Sequence, residues 1–411
     1  MSERSQVLIA GGGIAGLEAL LALHDLVGDR IEITLVAPGP DFSYKPLAVD
    51  EPFSAQPPEH RALAPAVEEL GGRFVQRGIE RVLPSEHQVE LDDGSRLDYD
   101  IAVIGVGGRA RPAFREAITF LTPEDRWRIA ALLKDAAGEP GAQRSLAFVV
   151  PSSNTWPLPI YELALMTARR AEELGVRALA CTVYTPEAAP LIVFGSVATT
   201  AVSEVLRARG IDVRTSVRVH EDAAGRLTAT PGGEAIEATN VIALPTLEGP
   251  GIAGLPSDEG GFIPIDEHAR VKGVDDVYAA GDGTTFPIKQ GGLATQQADA
   301  AAEHIAARLG ADVDPQPFHP VLRGMLLTGG ESLSLSHGLV GGEGEGSASA
   351  DYLWWPPHKV SGRCLAPWLE GETARPEPEP PRRPLEVEVA LPIEWHEQPM
   401  ALDPHRGPEL D

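Results

Sequence analysis

The chain has 411 residues, 43% of them hydrophobic, and a formal net charge of -26 from 34 Lys+Arg against 60 Asp+Glu. That length allows two or three domains with real cores, and that charge repels phosphate backbones and anionic lipid, which argues against nucleic acid and membrane-surface partners. Two cysteines, Cys181 and Cys364, make neither a disulfide framework nor a C-x-x-C pair, the start MSERSQ lacks signal-peptide regions, and no apolar run approaches ~20 residues, so the expectation is a reduced, cytoplasmic protein without a membrane span.

In chain order, residues 7–10 (VLIA) suit a buried parallel strand. Gly11, Gly13 and Gly16 follow at G-x-G-x-x-G spacing. From Ile14 and Ala15 onward, Leu17, Leu20, Leu21 and Leu23 repeat at helical spacing, and residues 31–36 form a second apolar strand. Strand, glycine loop, helix and strand together predict a dinucleotide site. The glycines permit the tight turn, close approach of backbone to pyrophosphate, and close packing of helix on strand. The helix start adds free N–H groups and a positive dipole end. Ala37 stands where such sites usually carry an acidic ribose ligand, and Asp41 is the next carboxylate able to reach in.

Residues 59–72 read as a short helix, 73–76 and 80–83 as strands, and 87–91 with 96–99 as a hairpin turning at Asp93-Gly94. Residues 101–104 are a buried strand, after which Gly105, Gly107 and Gly108 let the backbone turn beside a ligand. From about Phe120 a second α/β unit is expected: helix 124–137, strand 145–150, helix 160–174, strand 178–184, helix 196–209 and strand 240–244. It has no G-x-G-x-x-G, and Pro151, Pro157 and Pro159 remove N–H donors where a pyrophosphate would need them. Strand 277–280 ends at Gly281-Asp282, helix 293–309 follows Gly291-Gly292, and 318–327 and 333–335 read as strands. From Glu372 the sequence is rich in Pro and Glu, without periodicity, and is expected to be extended or disordered.

GGGIAG, YDIAVIGVGG and VYAAGD recur in this order in flavoproteins with two dinucleotide-binding domains. The chain resembles the FAD-dependent pyridine nucleotide–disulfide oxidoreductase superfamily. SYKPLAVDEPF, IKQGGLATQQADAAA and LWWPPHKVSGR resemble its branch of sulfide:quinone oxidoreductases, flavocytochrome c sulfide dehydrogenases and type II NADH dehydrogenases. The resemblance implies an α/β fold of two Rossmann-like, doubly wound domains: a discontinuous FAD-binding domain at 1–119 and 258–325, a second Rossmann-like domain at 120–257 with a degenerate nucleotide loop, a flavin-side segment at 326–371 and a tail at 372–411. It places Gly11, Gly13 and Gly16 under the FAD pyrophosphate, Gly105 and Gly107 against the cofactor, and Asp282, freed by Gly281, on a ribityl hydroxyl. The helix start at Gly292, Leu293 and Ala294 would point at the flavin N1–C2=O edge and stabilise its reduced form.

The same resemblance marks departures. The loop that carries a thiol in sulfide oxidisers reads SSNTWPLP here, with Asn154 and Thr155 at the expected place. Glu187, in TPE after strand 178–184, could still hold a nicotinamide dinucleotide ribose, without a phosphate nest beside it. Lys289 could stabilise reduced flavin or an anionic substrate as a catalytic group, or be an ordinary surface lysine; Lys45 carries the same two readings. Trp156, Trp354, Trp355 and Lys359 could wall the ring or a quinone slot, or simply pack. The histidines show no metal-ligand spacing, so no metal is expected. The expected function is a noncovalent-FAD oxidoreductase moving two electrons to or from a quinone-like or other small redox partner, without a cysteine pair. A non-catalytic FAD-binding relative and an NAD(P)H-dependent reductase are the alternatives. Homodimers are common among such relatives.

Overall fold

The computed structural model describes residues 4–54, 60–139, 141–338, 346–354 and 356–371. Trp355, the glycine-rich stretch at 339–345 and the tail at 372–411 lie outside them.

The first sheet is built on β1 (Ser5–Ala10), whose last four residues are almost fully buried. Helix α1 (Ile14–Val27) follows it, and β2 (Ile31–Ala37), helix α2 (Leu63–Glu69), β3 (Arg73–Gln76) and β4 (Ile101–Ile104) come next. With a distant strand, Val277–Ala279, these four strands form a fully parallel sheet in the order Val277–Ala279, β4, β1, β2, β3. The order reverses at β1, so the chain leaves β1 toward one side and β4 toward the other. Register does the rest: Ala10 lies opposite Val36 and Ile104, and Ala279 opposite Ile104. The loops after these strands therefore open at one level, along one edge. That edge is where a parallel α/β sheet binds its ligand.

The second sheet is also parallel. Its strands are β5 (Ile118–Thr119), β6 (Arg144–Val149), β7 (Leu179–Tyr184), β8 (Ile211–Arg214) and β9 (Asn240–Ala243), in the order β5, β9, β6, β7, β8. Helices α3 (Pro123–Gly138), α4 (Leu158–Glu173) and α5 (Gly195–Ala208) connect them. Thr122 opens α3 with a reciprocal capping box to Asp125. Strand β10 is Val277–Ala279 of the first sheet, and helix α6 (Gly291–Arg308) follows it. Antiparallel strands β11 (Val321–Leu326), β12 (Leu333–Gly338) and β13 (Ser347–Ser349) form a third sheet, and α7 (Leu365–Glu370) lies beyond it.

The cores explain how the parts hold together. Ala298, Ala301 and Ile305 of α6 join the core of the first sheet, while Leu293 and Ala300 join the core of the second. Small alanines let α6 sit close to α1. Strand β11 packs Leu322 and Leu326 into the second core, so the expected boundary between 325 and 326 falls inside a strand that belongs with the second sheet. Likewise β5, placed by the sequence reading in the first unit, pairs with β9 in the second. The sequence reading also missed a small three-stranded sheet over Arg218–Glu221, Leu227–Thr230 and Glu234–Ala235, and the antiparallel pair of Arg109–Arg111 with Thr246–Glu248 that links the two passages between units.

Candidate functional site

A cavity of about 730 Å³ opens at the carboxyl edge of the first sheet and runs toward the second. Gly11, Gly13, Ile14 and Ala15 line it after β1, Gly105 and Gly107 after β4, and Gly281 and Asp282 after β10. Lys45, Lys289, Ala294, Trp156, Thr155, Lys359 and Val360 line it as well.

The glycine loop is built by steric necessity at two points. Gly11 has φ +117°, and a Cβ there would meet the Gly105 carbonyl oxygen at 2.3 Å. A Cβ on Gly16 would meet the Gly11 carbonyl oxygen at 1.8 Å. Gly16 packs helix against loop, inside α1, and its side of the residue faces protein. Gly13 is different: a Cβ there would meet nothing within 4 Å. It caps α1 with its backbone and no side-chain hydrogen bond, so the N–H groups of the first turn face the cavity without a capping side chain.

At the far end of the cavity Lys289 is buried and Asp282 half-buried. Burial raises the Asp282 carboxyl above the usual range, against the pull of Lys289 and Lys45. Lys289 is 7% exposed. Its ammonium donates to the Thr284 carbonyl and lies 3.9 Å from the centre of the Phe262 ring. Burial pushes Lys289 down to about 8, with Asp282 and Asp258 opposing. So Lys289 is no surface lysine.

The helix start differs in detail from the expectation. Helix α6 begins at Gly291, and the Gln290 side chain accepts from Leu293 N–H at 2.9 Å. That N–H is used within the helix. Leu293 points into the second core at 1% exposure, and a Cβ on Gly292 would meet Gln290. Gly291 and Ala294 line the cavity, whereas Gly292 and Leu293 do not. The helical glycine spacing located the turn but could not show which face of it was open.

Residues 356–371 form a strap over this end. Lys359 pairs with Glu162 of α4 at 2.6 Å, with side chains 6% and 0% exposed. Glu162 also accepts from Leu327 N–H at 2.9 Å. Burial pushes Glu162 up and Lys359 down, and each opposes the other's neutralisation. Tyr44 OH accepts from Val360 N–H at 2.8 Å. Glu18, inside α1, accepts from Cys364 and Leu365 N–H at 2.7 and 2.9 Å. Arg363 pairs with Asp299 and Glu303 of α6 at 3.3 and 2.6 Å. Arg61 donates to the Trp368 and Leu369 carbonyls and stacks its guanidinium 4.8 Å over the Trp368 ring. None of these ties was legible in sequence, because each joins residues far apart in the chain, from 60 positions for Arg363 and Glu303 to 347 for Glu18 and Leu365. The SYKP stretch was a signal only for Tyr44 and Lys45.

Neither cysteine is among the described residues that line the cavity. Cys181 is a core residue of β7, its thiol pushed up to about 12 by burial. Burial, with Glu18 and Asp299, pushes the Cys364 thiol up to about 12. Both are poor nucleophiles in this state. Thr155 lines the cavity and its hydroxyl is 3.0 Å from that of Ser152. Trp156 lines it while packing edge-on to Phe194. Trp354 donates its indole N–H to the His358 carbonyl and is absent from the lining.

Glu187, the carboxylate left to hold a second ribose, is turned inward. It accepts from Tyr161 OH at 2.7 Å and Thr185 OH at 2.9 Å, and burial raises it to about 7. The residue's place after β7 was readable, but its capture by Tyr161 of α4 was not. Pro157 caps α4 without a side-chain bond, and Pro159 stands in the first turn. At the adenosine end, Ala37 is 3% exposed and Asp41 lines the cavity.

Residues 162–303 match the pyridine nucleotide-disulphide oxidoreductase family. The sulfide-quinone reductase of Aquifex aeolicus (strain VF5) is 24% identical over 177 residues, 42% of this chain and 40% of that protein, so the aligned part spans less than half of the relative. The crystal structure of the sulfide:quinone oxidoreductase from the same hyperthermophile superposes with a TM-score of 0.76 at 18% identity, over 84% of this chain and 86% of that one. A ferredoxin reductase of Rhodopseudomonas palustris follows at TM-score 0.61 and 18% identity, over 82% and 83% of the chains. NDH2 of Plasmodium falciparum, solved with NADH, gives 0.56 at 15%, over 69% and 65%. The two parallel sheets, with the glycine loop at the switch point of the first, are the fold of these solved oxidoreductases, and the family match falls on residues 162–303.

Proposed function

We propose that the chain holds one noncovalent FAD in this cavity and works as an FAD-dependent oxidoreductase that moves two electrons to or from a quinone-like or other small redox partner, without a cysteine pair. One observation carries the reading: one cavity runs from the open backbone at Gly13 to the half-buried Asp282 and the buried Lys289.

The residues fit the cofactor. The space beside Gly13 is where a Cβ would meet nothing, beside N–H groups that no capping side chain covers, and suits a pyrophosphate. Asp282 is half-buried on the cavity wall, with no hydrogen bond from its carboxylate to a described residue, which suits a ribityl hydroxyl. Asp41 takes the ribose role that Ala37 lacks, by its place on the lining. When bound, FAD supplies reversible two-electron chemistry.

The chain's own residues set the conditions around it. Lys289, lowered to about 8 by burial, places a proton-bearing group on the same cavity wall as Asp282, positioned to offset negative charge. The start of α6 at Gly291 adds its dipole from the same side. Lys359 and Glu162 keep a second exchangeable proton at the cavity wall, inside low-dielectric surroundings. Because Glu187 is held by Tyr161 and Thr185, the second unit offers no free carboxylate after β7 for a nicotinamide ribose, and the donor is proposed not to be NAD(P)H.

The test is direct. The purified protein should show flavin absorbance, and denaturation should release intact FAD. Anaerobic addition of sulfide, NADH, NADPH and a reduced quinone should bleach the band with a donor other than the nicotinamides. Rapid bleaching by NADH would overturn the donor assignment. Protein that neither contains nor takes up FAD would overturn the whole reading.

A further inference from the structure

Asp282 and Lys289 both depend on one turn, and that turn depends on a side chain not yet assigned a role. Gly281 has φ +87°, and a Cβ there would lie 3.2 Å from that of Ala15 and 3.4 Å from that of Ala294. The turn is thus pressed between the starts of α1 and α6. Its N–H donates to Gln297 Oε1 at 2.7 Å. Gln297 belongs to α6 and is 2% exposed. Its Nε2 reaches Thr284 Oγ1 at 3.5 Å, and that hydroxyl donates to the Gly281 carbonyl at 3.0 Å. Thr284 is 0% exposed, and its carbonyl is the acceptor for the Lys289 ammonium. A chain of contacts therefore runs from Gln297 to both ends of the turn that presents Asp282, and on through Thr284 to Lys289.

We propose that Gln297 is a positioning residue: its amide fixes the 281–284 turn so that the Asp282 carboxylate and the Lys289 ammonium face the cofactor cavity together. The inference rests on the FAD reading above. The physical reason is that Asp282 has no hydrogen bond to a described residue to orient its side chain, so the backbone of the turn must do so. A glycine at φ +87° does not hold itself in place. Without Gln297, the Gly281 N–H between two helices has no acceptor and the turn relaxes.

The test is a double-mutant cycle on FAD dissociation constants, with wild type, Q297L, D282A and the double variant. D282A is expected to weaken FAD about tenfold or more. Q297L is expected to weaken it about tenfold in the wild-type background but less than about twofold beside D282A. Q297E, which can still accept from Gly281 N–H, should recover most of the loss. Q297L should also shift the flavin midpoint potential through Lys289. Equal losses from Q297L in both backgrounds would mean general packing and overturn the proposal; so would no loss in either. Should Q297L fail to fold, Q297N takes its place in the cycle, since its shorter amide cannot span to Gly281. Wild-type protein that binds no FAD refutes the underlying reading, whereas bound FAD with no coupling refutes only the role of Gln297.

Discussion

Lys289 offers the sharpest test of how the cavity is charged. Its ordinary value of 10.5 falls to about 8, chiefly through burial. At about 1.4 kcal/mol per tenfold change, that fall corresponds to about 3 kcal/mol of destabilisation while both folded and unfolded chains carry the proton. The sign follows from proton counting. Below pH 8 both states are protonated and the full cost is present. Between pH 8 and 10.5 the folded state has released its proton and the unfolded state has not, so stability rises with pH. Above 10.5 the cost is gone. Replacing Lys289 by Met removes the charge and keeps most of the apolar stem. In FAD-free protein, urea unfolding from pH 6.5 to 11 should find K289M more stable than wild type by up to about 3 kcal/mol below pH 8. The advantage should shrink steadily across the window and level off near 10.5. A difference that stays constant with pH would refute the reasoning. It would mean that the Thr284 carbonyl and the Phe262 ring solvate the ammonium as well as water does.

Other outcomes follow from the same structure. Gly16→Ala should destabilise the FAD-free protein by about 3 kcal/mol, because its Cβ strikes the Gly11 carbonyl at 1.8 Å, whereas Gly13→Ala should leave FAD-free stability nearly unchanged and weaken FAD uptake; thermal melts and flavin titration separate the two. Lys359→Met should cost about 3–5 kcal/mol by stranding Glu162, and the E162Q/K359M double variant should recover most of it in urea unfolding. Arg61→Met should leave global stability within about 2 kcal/mol but speed amide exchange over Leu365–Glu370, since it removes two bonds to carbonyls of α7 and a stacked ring.

The parallel strands were readable because burial on both faces leaves continuous apolar runs: the reading of 101–104 matches β4, and those of 7–10 and 31–36 lie within β1 and β2. Helices α1 and α3 to α6 were readable from spacing and from their glycine or capping boundaries. What escaped has a common cause. The strand pair of Arg109–Arg111 with Thr246–Glu248 has no apolar alternation, and it exists because two passages of chain happen to run side by side. Helix α7 is six residues long and is held by Glu18 and Arg61, both distant in sequence. Around the cavity, Gly11, Gly16 and Gly281 carried a signal because their geometry needs glycine. Gln297 carried none, since a buried glutamine in an Ala-rich helix reads like any other polar residue. Glu187 showed the reverse: its position predicted a ligand, and Tyr161 of α4, 26 residues earlier, donates its hydroxyl to that carboxylate.

The strap changes what retention of a cofactor means in this protein. The glycine loop and the residues that cover its far end are separated by the whole length of the fold: Glu18 meets Cys364 across 346 positions, and Tyr44 meets Val360 across 316. A molecule seated in the cavity would lie beside this strap, one tie of which reaches α4 of the second unit through Lys359. Opening of these ties would loosen that end of the cavity without touching the loop at its other end. Loop and strap are thus two sets of residues, distant in sequence, that border one cavity from opposite ends.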